Sequence, residues 1–373
     1  AGADAAAASA RERLSVRLTG LLPLDGANAL AELTPLPLVI AANAAVGKPW
    51  ASPAGTVFGG LAAVMTGLVG LLDMSGAAVV FAGLSGQSRF AVDAGLVVTA
   101  VAAVGFVFKP IRKDLAMFLP IDPDNPVHTL ALVLAALLLG MQVTVLAFTD
   151  VLAADRAGPQ LTVLDVFLNE TPFLILALAG VGLAVRRGPA PSLSRLGVVR
   201  PAWWQIVLAL ACAGGFYALA QGSDVVSHAL TPNLARRVDL TNQYLFGRLF
   251  NPAGIAALAV LPGICEELLF RGALQPRIGL VATAVLFTSI HTQYGLSVDT
   301  LTLLLIALGL GLIRKYVNTT ACCTCHIGYN LLVGIGVAGA AATAAIAVEV
   351  VLVAITAYAI WTNRPRPPAP VSP

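Results

Sequence analysis

The sequence predicts an all-α polytopic membrane protein with about 8–10 transmembrane helices. Three observations carry that prediction. Only 11% of the 373 residues are charged, against roughly 25% in soluble domains. Apolar residues make up 58%, and the mean hydropathy is +0.87. Many windows approach the roughly 20 mainly apolar residues that a membrane helix needs. These properties exclude a disordered chain and a soluble globular enzyme. A net charge of +3, with no basic cluster interleaved with aromatics, argues against nucleic acid as a partner. Five cysteines in apolar surroundings are too few for a disulfide framework.

Taken in order, the chain opens AGADAAAASARERLS, which lacks the apolar core of a signal peptide. That start fits a processed organelle protein, such as one of a chloroplast thylakoid or envelope membrane. The rest fits a bacterial inner membrane equally well. Residues 1–54 read as an N-terminal extension; its stretch 27–47 carries Glu32, Pro35 and Pro37 and reads as interfacial. Apolar spans are expected near 55–73, 92–109, 128–149, 166–185, 202–221, 253–273, 279–296, 298–313, 319–337 and 341–361. The segment 76–88 is short and Gly-rich, suited to a re-entrant or interfacial position. Residues 55–185 form an N-terminal helical section. The Pro/Ser/Arg-rich stretch 186–200 reads as a linker to a polar-enriched section, 201–340. A last helix at 341–361 precedes the Pro-rich tail 362–373, which has no prenylatable cysteine.

The basic residues support this order. Threaded through ten crossings, all but five of the 22 Lys and Arg residues fall on one side; the exceptions are Arg89, Arg156, Arg236, Arg237 and Arg248. Cytoplasmic-type loops carry such an excess, so both termini are expected on that positive side, cytoplasmic or stromal.

Ionisable residues inside a span are costly and mark functional sites by default. The segment LPGICEELLFRGALQPR holds Glu266 and Glu267 side by side. On an α-helix Glu267 and Arg271 stand i,i+4, which suits an ion pair. Glu266 lies about 100° round the helix, on the face of Phe270, and is left free to face a cavity. A carboxyl in a low dielectric is tuned toward acid–base duty. The following span places Phe287 and His291 at i,i+4, and CCTCHIGYN does the same for His326 and Asn330. An imidazole and an amide one turn apart can both donate to one oxygen, as an oxyanion hole requires. Each site alone also reads as helix packing. Together, a carboxylate pair, an imidazole and an imidazole–amide pair within 65 residues suggest hydrolysis of a peptide bond in or beside the membrane. Glu170 and Glu349 are lone intramembrane acids, open to a structural or a functional role. Cys265, Cys322, Cys323 and Cys325 read as small apolar helix residues rather than a metal cluster, because successive helical residues point about 100° apart. Gly334, Gly336 and Gly339 spell GxGxxG with no preceding strand, so close helix packing explains them better than a dinucleotide.

EELLFR, FTSIH and HIGYN resemble, in order and spacing, the EExxxR, FxxxH and HxxxN motifs of the CPBP family. These are the CAAX-prenyl-protease and bacteriocin-processing intramembrane proteases, also called Abi or Rce1-like. The resemblance covers about residues 200–340. It implies a helical catalytic core in the C-terminal half and an intramembrane endopeptidase. It also implies Glu266 as the water-activating base with His291 assisting, and His326 with Asn330 as oxyanion donors. Glu267, Arg271 and Phe287 would then be supporting residues. The resemblance leaves metal dependence open: a metal-free glutamate mechanism is favoured, while Glu266, His291 and His326 would also suit zinc. Implied partners are a membrane protein or lipidated peptide substrate, the bilayer, and potentially a larger membrane complex. Two other readings stay open: a non-catalytic assembly factor or complex subunit that keeps the fold, and a proton-coupled transporter.

Overall fold

The computed structural model describes residues 31–77, 84, 86–337 and 340–362. The start of the chain, the middle of 76–88, Gly339 and the Pro-rich tail lie outside the described residues. The described residues form an all-α assembly with no strand beyond one isolated bridge, Leu183 to Arg187.

Sixteen α-helices follow one another among the described residues, joined in places by single 3-10 turns. They are α1 (Leu36–Ala45), α2 (Ala51–Met74), α3 (Gly86–Val104), α4 (Lys109–Leu115), α5 (Pro126–Phe148), α6 (Val151–Ala157), α7 (Val163–Gly180) and α8 (Pro189–Leu196). Then come α9 (Trp203–Leu230), α10 (Pro232–Phe246), α11 (Pro252–Glu266), a π-helical segment (Glu267–Leu274), α12 (Gln275–Ile278), α13 (Leu280–Ser289), α14 (Val298–Tyr316), α15 (Thr319–Ile335) and α16 (Ala340–Thr362).

Seven of these helical stretches are long and apolar enough to cross a membrane: α2, α3, α5, α7, α9, the run Pro252–Ile278, and α16. That corrects the expectation of a span over 279–296. There α13 runs only 10 residues, about 15 Å, half the hydrocarbon thickness. The expected segments at 298–313 and 319–337 are helices, α14 and α15, but neither is among the seven. α14 carries Asp299, Arg314 and Lys315 at its ends, and α15 has 17 residues. Both pack within the bundle, where neighbouring helices cover surface that lipid would otherwise solvate.

Two packed groups make the core. In the first, α1, α2, α3 and α5 bury Val39, Ala62, Ala63, Ala100, Ala103 and Val133 against one another. In the second, α9, α14 and α15 bury Ala209, Ala213, Ile306, Leu310, Cys322 and Cys325. α7 joins them by packing along α11 and the π-helical segment, with Ala177 meeting Leu268 and Ala273. The two run parallel: the Phe173 ring meets Phe270, and Arg277 Nη2 donates to Gly180 O at 3.1 Å. Both pairings are offset by 97 positions, which sets the register.

Local sequence fixes where the site helices begin. Asn251 caps α11 by accepting from Gly254 N at 3.1 Å, and Asn318 caps α15 by accepting from Ala321 N at 2.8 Å. α11 and α15 approach closely at Gly263: a Cβ there would lie 2.5 Å from Ile327 Cγ1 and 3.1 Å from its backbone N. Only glycine permits that approach, which brings the end of α11 against His326 on the next residue of α15.

Candidate active site

The site is built where α11 gives way to π-helical turns. Such turns widen the helix and recur at functional positions. Here they carry Glu267 to Leu274, directly after Glu266. Glu267 and Arg271 are fully buried, Glu266 is 5% exposed and His326 is 7% exposed. The two carboxyls are partnered differently. Glu267 Oε1 accepts from His326 Nδ1 at 3.0 Å, and its Oε2 lies 3.4 Å from Arg271 Nε as an ion pair without a hydrogen bond. Glu266 Oε2 likewise has no hydrogen-bond partner among the described residues. Its Oε1 stands 3.9 Å from His291 Nε2, and its Oε2 stands 4.0 Å from His326 Nε2. Both separations exceed direct hydrogen-bonding distance.

His291 is not a residue of the helix, as its i,i+4 spacing from Phe287 suggested. α13 ends at Ser289, and His291 lies just beyond. Its Nδ1 donates to Phe287 O at 2.9 Å, a carbonyl left without a helical partner by that termination. The side chain therefore returns to the position the spacing implied by capping the helix end. With Nδ1 carrying the proton, Nε2 presents a lone pair toward Glu266.

Phe287 is the packing centre of the site. The Arg271 guanidinium carbon sits 4.5 Å above its ring centroid. His291 stacks at 4.8 Å, Phe270 meets it edge-on at 5.2 Å, and His326 lies at 6.1 Å. A cation over a desolvated ring contributes about 2 kcal/mol, so Phe287 holds Arg271 from the side opposite Glu267. Asn330 lies one turn beyond His326 and donates through Nδ2 to Leu258 O at 3.1 Å. That bond ties α15 to α11 and uses one of its two amide protons.

Glu170 belongs to this neighbourhood, although no motif marks it. The register of α7 on α11 brings it level with Glu266 and Glu267, and its charge acts on Glu266. It is 8% exposed, and its Oε2 has no hydrogen-bond partner among the described residues. A lone intramembrane acid was the visible signal; the helix that it faces was not. Glu349 is elsewhere, lying over Gly214 of α9. The cysteines are all free, and Cys322 and Cys325 pack in the α9–α14–α15 core.

Residues 248–332 match the family described as type II CAAX prenyl endopeptidase Rce1-like. The segment, 85 of the 373 residues, is similar to that family. The match contains Glu266, Glu267, Arg271, Phe287, His291, His326 and Asn330, and excludes everything before residue 248. No curated protein and no solved structure matches the chain. The Rce1-like segment thus runs from the 3-10 turn before α11 to within α15, and Glu170 approaches it from a helix outside the match.

The donors suit zinc in chemistry: a carboxylate and two imidazole Nε2 atoms. His291 Nε2 and His326 Nε2 lie 3.9 and 4.0 Å from different oxygens of Glu266. Among the described residues, the His and carboxylate group close enough to share one ion is the exposed set Asp224, His228 and Asp239.

Proposed function

We propose that this integral multi-pass membrane protein is an intramembrane endopeptidase that hydrolyses a peptide bond of a membrane-associated substrate by glutamate-activated water. The observation that carries this reading is the contrast between two adjacent buried carboxyls. Glu267 is bound to His326 and Arg271, while Glu266 faces two imidazoles across gaps near 4 Å. A gap of that width suits one bridging water, about 2.8 Å from each side. Glu266 Oε1 takes a proton from that water, and the His291 Nε2 lone pair accepts the water's second hydrogen bond. The resulting hydroxide adds to the scissile carbonyl carbon. Glu266 then returns the proton to the amide nitrogen as the C–N bond breaks.

The oxyanion needs donors. Because His326 Nδ1 donates to Glu267, its Nε2 carries a proton only in the imidazolium form. The Glu267–Arg271 pair therefore orients the ring, so that Nε2 faces the reaction site as the donor to the oxyanion. The second amide proton of Asn330 supplies the other donor. The family match supports a membrane-associated substrate, a membrane protein or a lipidated C-terminal peptide. Zinc, in this reading, has no step.

The test is cleavage of a prenylated peptide by purified protein in liposomes. Glu266→Gln is expected to abolish turnover while the protein still binds the peptide. Full turnover by that variant refutes the assignment. Stable co-purification with a partner complex, with no cleavage by the unaltered protein, would favour the non-catalytic assembly reading.

A further inference from the structure

We propose that the end of α7 carries a binding site for an anionic phospholipid headgroup, built from Arg186, Arg187, Arg195 and Arg277. Three of these side chains gather on the last carbonyls of one helix. Arg277 Nη2 donates to Gly180 O at 3.1 Å, and Arg187 Nη1 donates to Val181 O at 2.5 Å. Arg186 Nε donates to Asn43 Oδ1 at 2.9 Å, and Asn43 Nδ2 donates to Ala179 O at 2.9 Å. Arg195, on α8, acts electrostatically on Arg186 and Arg277.

Capping explains part of this arrangement, since a helix C-terminus favours cations. It does not balance the charge. A helix end is worth roughly half a negative charge, against four guanidinium groups. Among the described residues no ion pair involves any of the four. Among the described residues, the charged groups that act on Arg186, Arg195 and Arg277 are other arginines. Burial and that mutual repulsion hold Arg186 and Arg195 below the ordinary guanidinium range. Arg277 is 97% buried by its 3% exposure, and its Nε has no hydrogen-bond partner. A buried guanidinium N–H without an acceptor is destabilising, and an anion would supply the acceptor.

Phosphate is the fitting anion, because planar guanidinium forks bind its oxygens in pairs. Its neighbours identify the source. Val185, Leu193 and Val199 are exposed and neighbour Arg186, Arg187 and Arg195 in sequence. Exposed apolar side chains next to a cationic cluster suit a headgroup with its acyl chains, rather than a soluble ion.

The inference is independent of catalysis and is tested by binding. Purified full-length protein is titrated with phosphatidylglycerol, phosphatidylcholine or inorganic phosphate in detergent micelles. Thermal unfolding and native mass spectrometry read the result. Phosphatidylglycerol is expected to raise the unfolding midpoint saturably and remain bound through the ionisation step, while phosphatidylcholine does neither. Arg187→Gln/Arg195→Gln is expected to weaken phosphatidylglycerol binding at least tenfold. Arg200→Gln/Lys315→Gln, on the same end but outside the cluster, is expected to leave it unchanged. Arg195→Gln alone serves if the double variant aggregates, with the same direction expected. Equal effects of the two lipids, equal loss in the control variant, or retained binding in the cluster variants overturns the proposal. An equal, competing shift from inorganic phosphate overturns the lipid source.

Discussion

Glu266 and Glu267 are neighbours in sequence and both buried, yet their removal is expected to have unequal effects on stability. Glu267 accepts from His326 at 3.0 Å and faces Arg271 at 3.4 Å, with all three side chains nearly excluded from solvent. Glu267→Ala would leave a buried guanidinium with no carboxylate, and breaking a buried pair in this way costs about 3–5 kcal/mol. Arg271→Ala should cost a similar amount. Replacing both with apolar residues, Glu267→Leu/Arg271→Met, removes the stranded charge along with its partner. Such replacements run from neutral to stabilising, so the double variant should lose far less than the sum of the singles. Glu266 differs because its oxygens stand 3.9 and 4.0 Å from His291 and His326, beyond hydrogen-bonding distance. Glu266→Ala deletes a few methylene contacts and a desolvated carboxyl together, and the two effects oppose each other. A net change within about 1 kcal/mol follows. Reversible unfolding of the four variants by denaturant titration in mixed micelles measures these differences. Glu266→Ala as destabilising as Glu267→Ala would refute the division of the pair into a supporting and a free carboxyl. Additive losses in the double variant would refute the buried ion pair.

The other expectations concern the surrounding residues. His291→Ala should lower kcat roughly 10²- to 10⁴-fold, the range for loss of an acid–base partner, with peptide binding retained in an equilibrium assay. Asn330→Ala should lower kcat by about 10²- to 10³-fold, as for an oxyanion donor; an effect confined to KM would instead make Asn330 only a tie to Leu258. Glu170→Leu should leave the unfolding midpoint unchanged or raised, because an unpartnered buried carboxyl gives way to apolar volume. A clear fall in that midpoint would show that the carboxyl has a partner. Removing divalent metal with a chelator should leave cleavage intact, and loss of cleavage that zinc restores would replace the glutamate mechanism.

Much of this molecule was legible in sequence because lipid imposes simple rules. Seven of the ten apolar stretches expected as spans are long apolar helices in the structure, and the motif residues could be read without a fold. The split between Glu266 and Glu267 followed from i,i+4 spacing to Arg271, and the structure keeps it although the backbone there is π-helical. Spacing could not show that His291 lies beyond a 10-residue helix. Apolar residues in a buried short helix and in a spanning one look alike when neighbouring helices supply the walls. Nor could it show Glu170 beside Glu266, or four arginines on the end of α7. Those juxtapositions depend on the register of two parallel helices, set by Phe173 on Phe270 and Arg277 on Gly180. Composition and periodicity determined which residues must leave water and which would be costly to bury. Only side-chain packing between distant helices decided which costly residues meet, because that register is fixed by shape complementarity across segments the chain order does not place together.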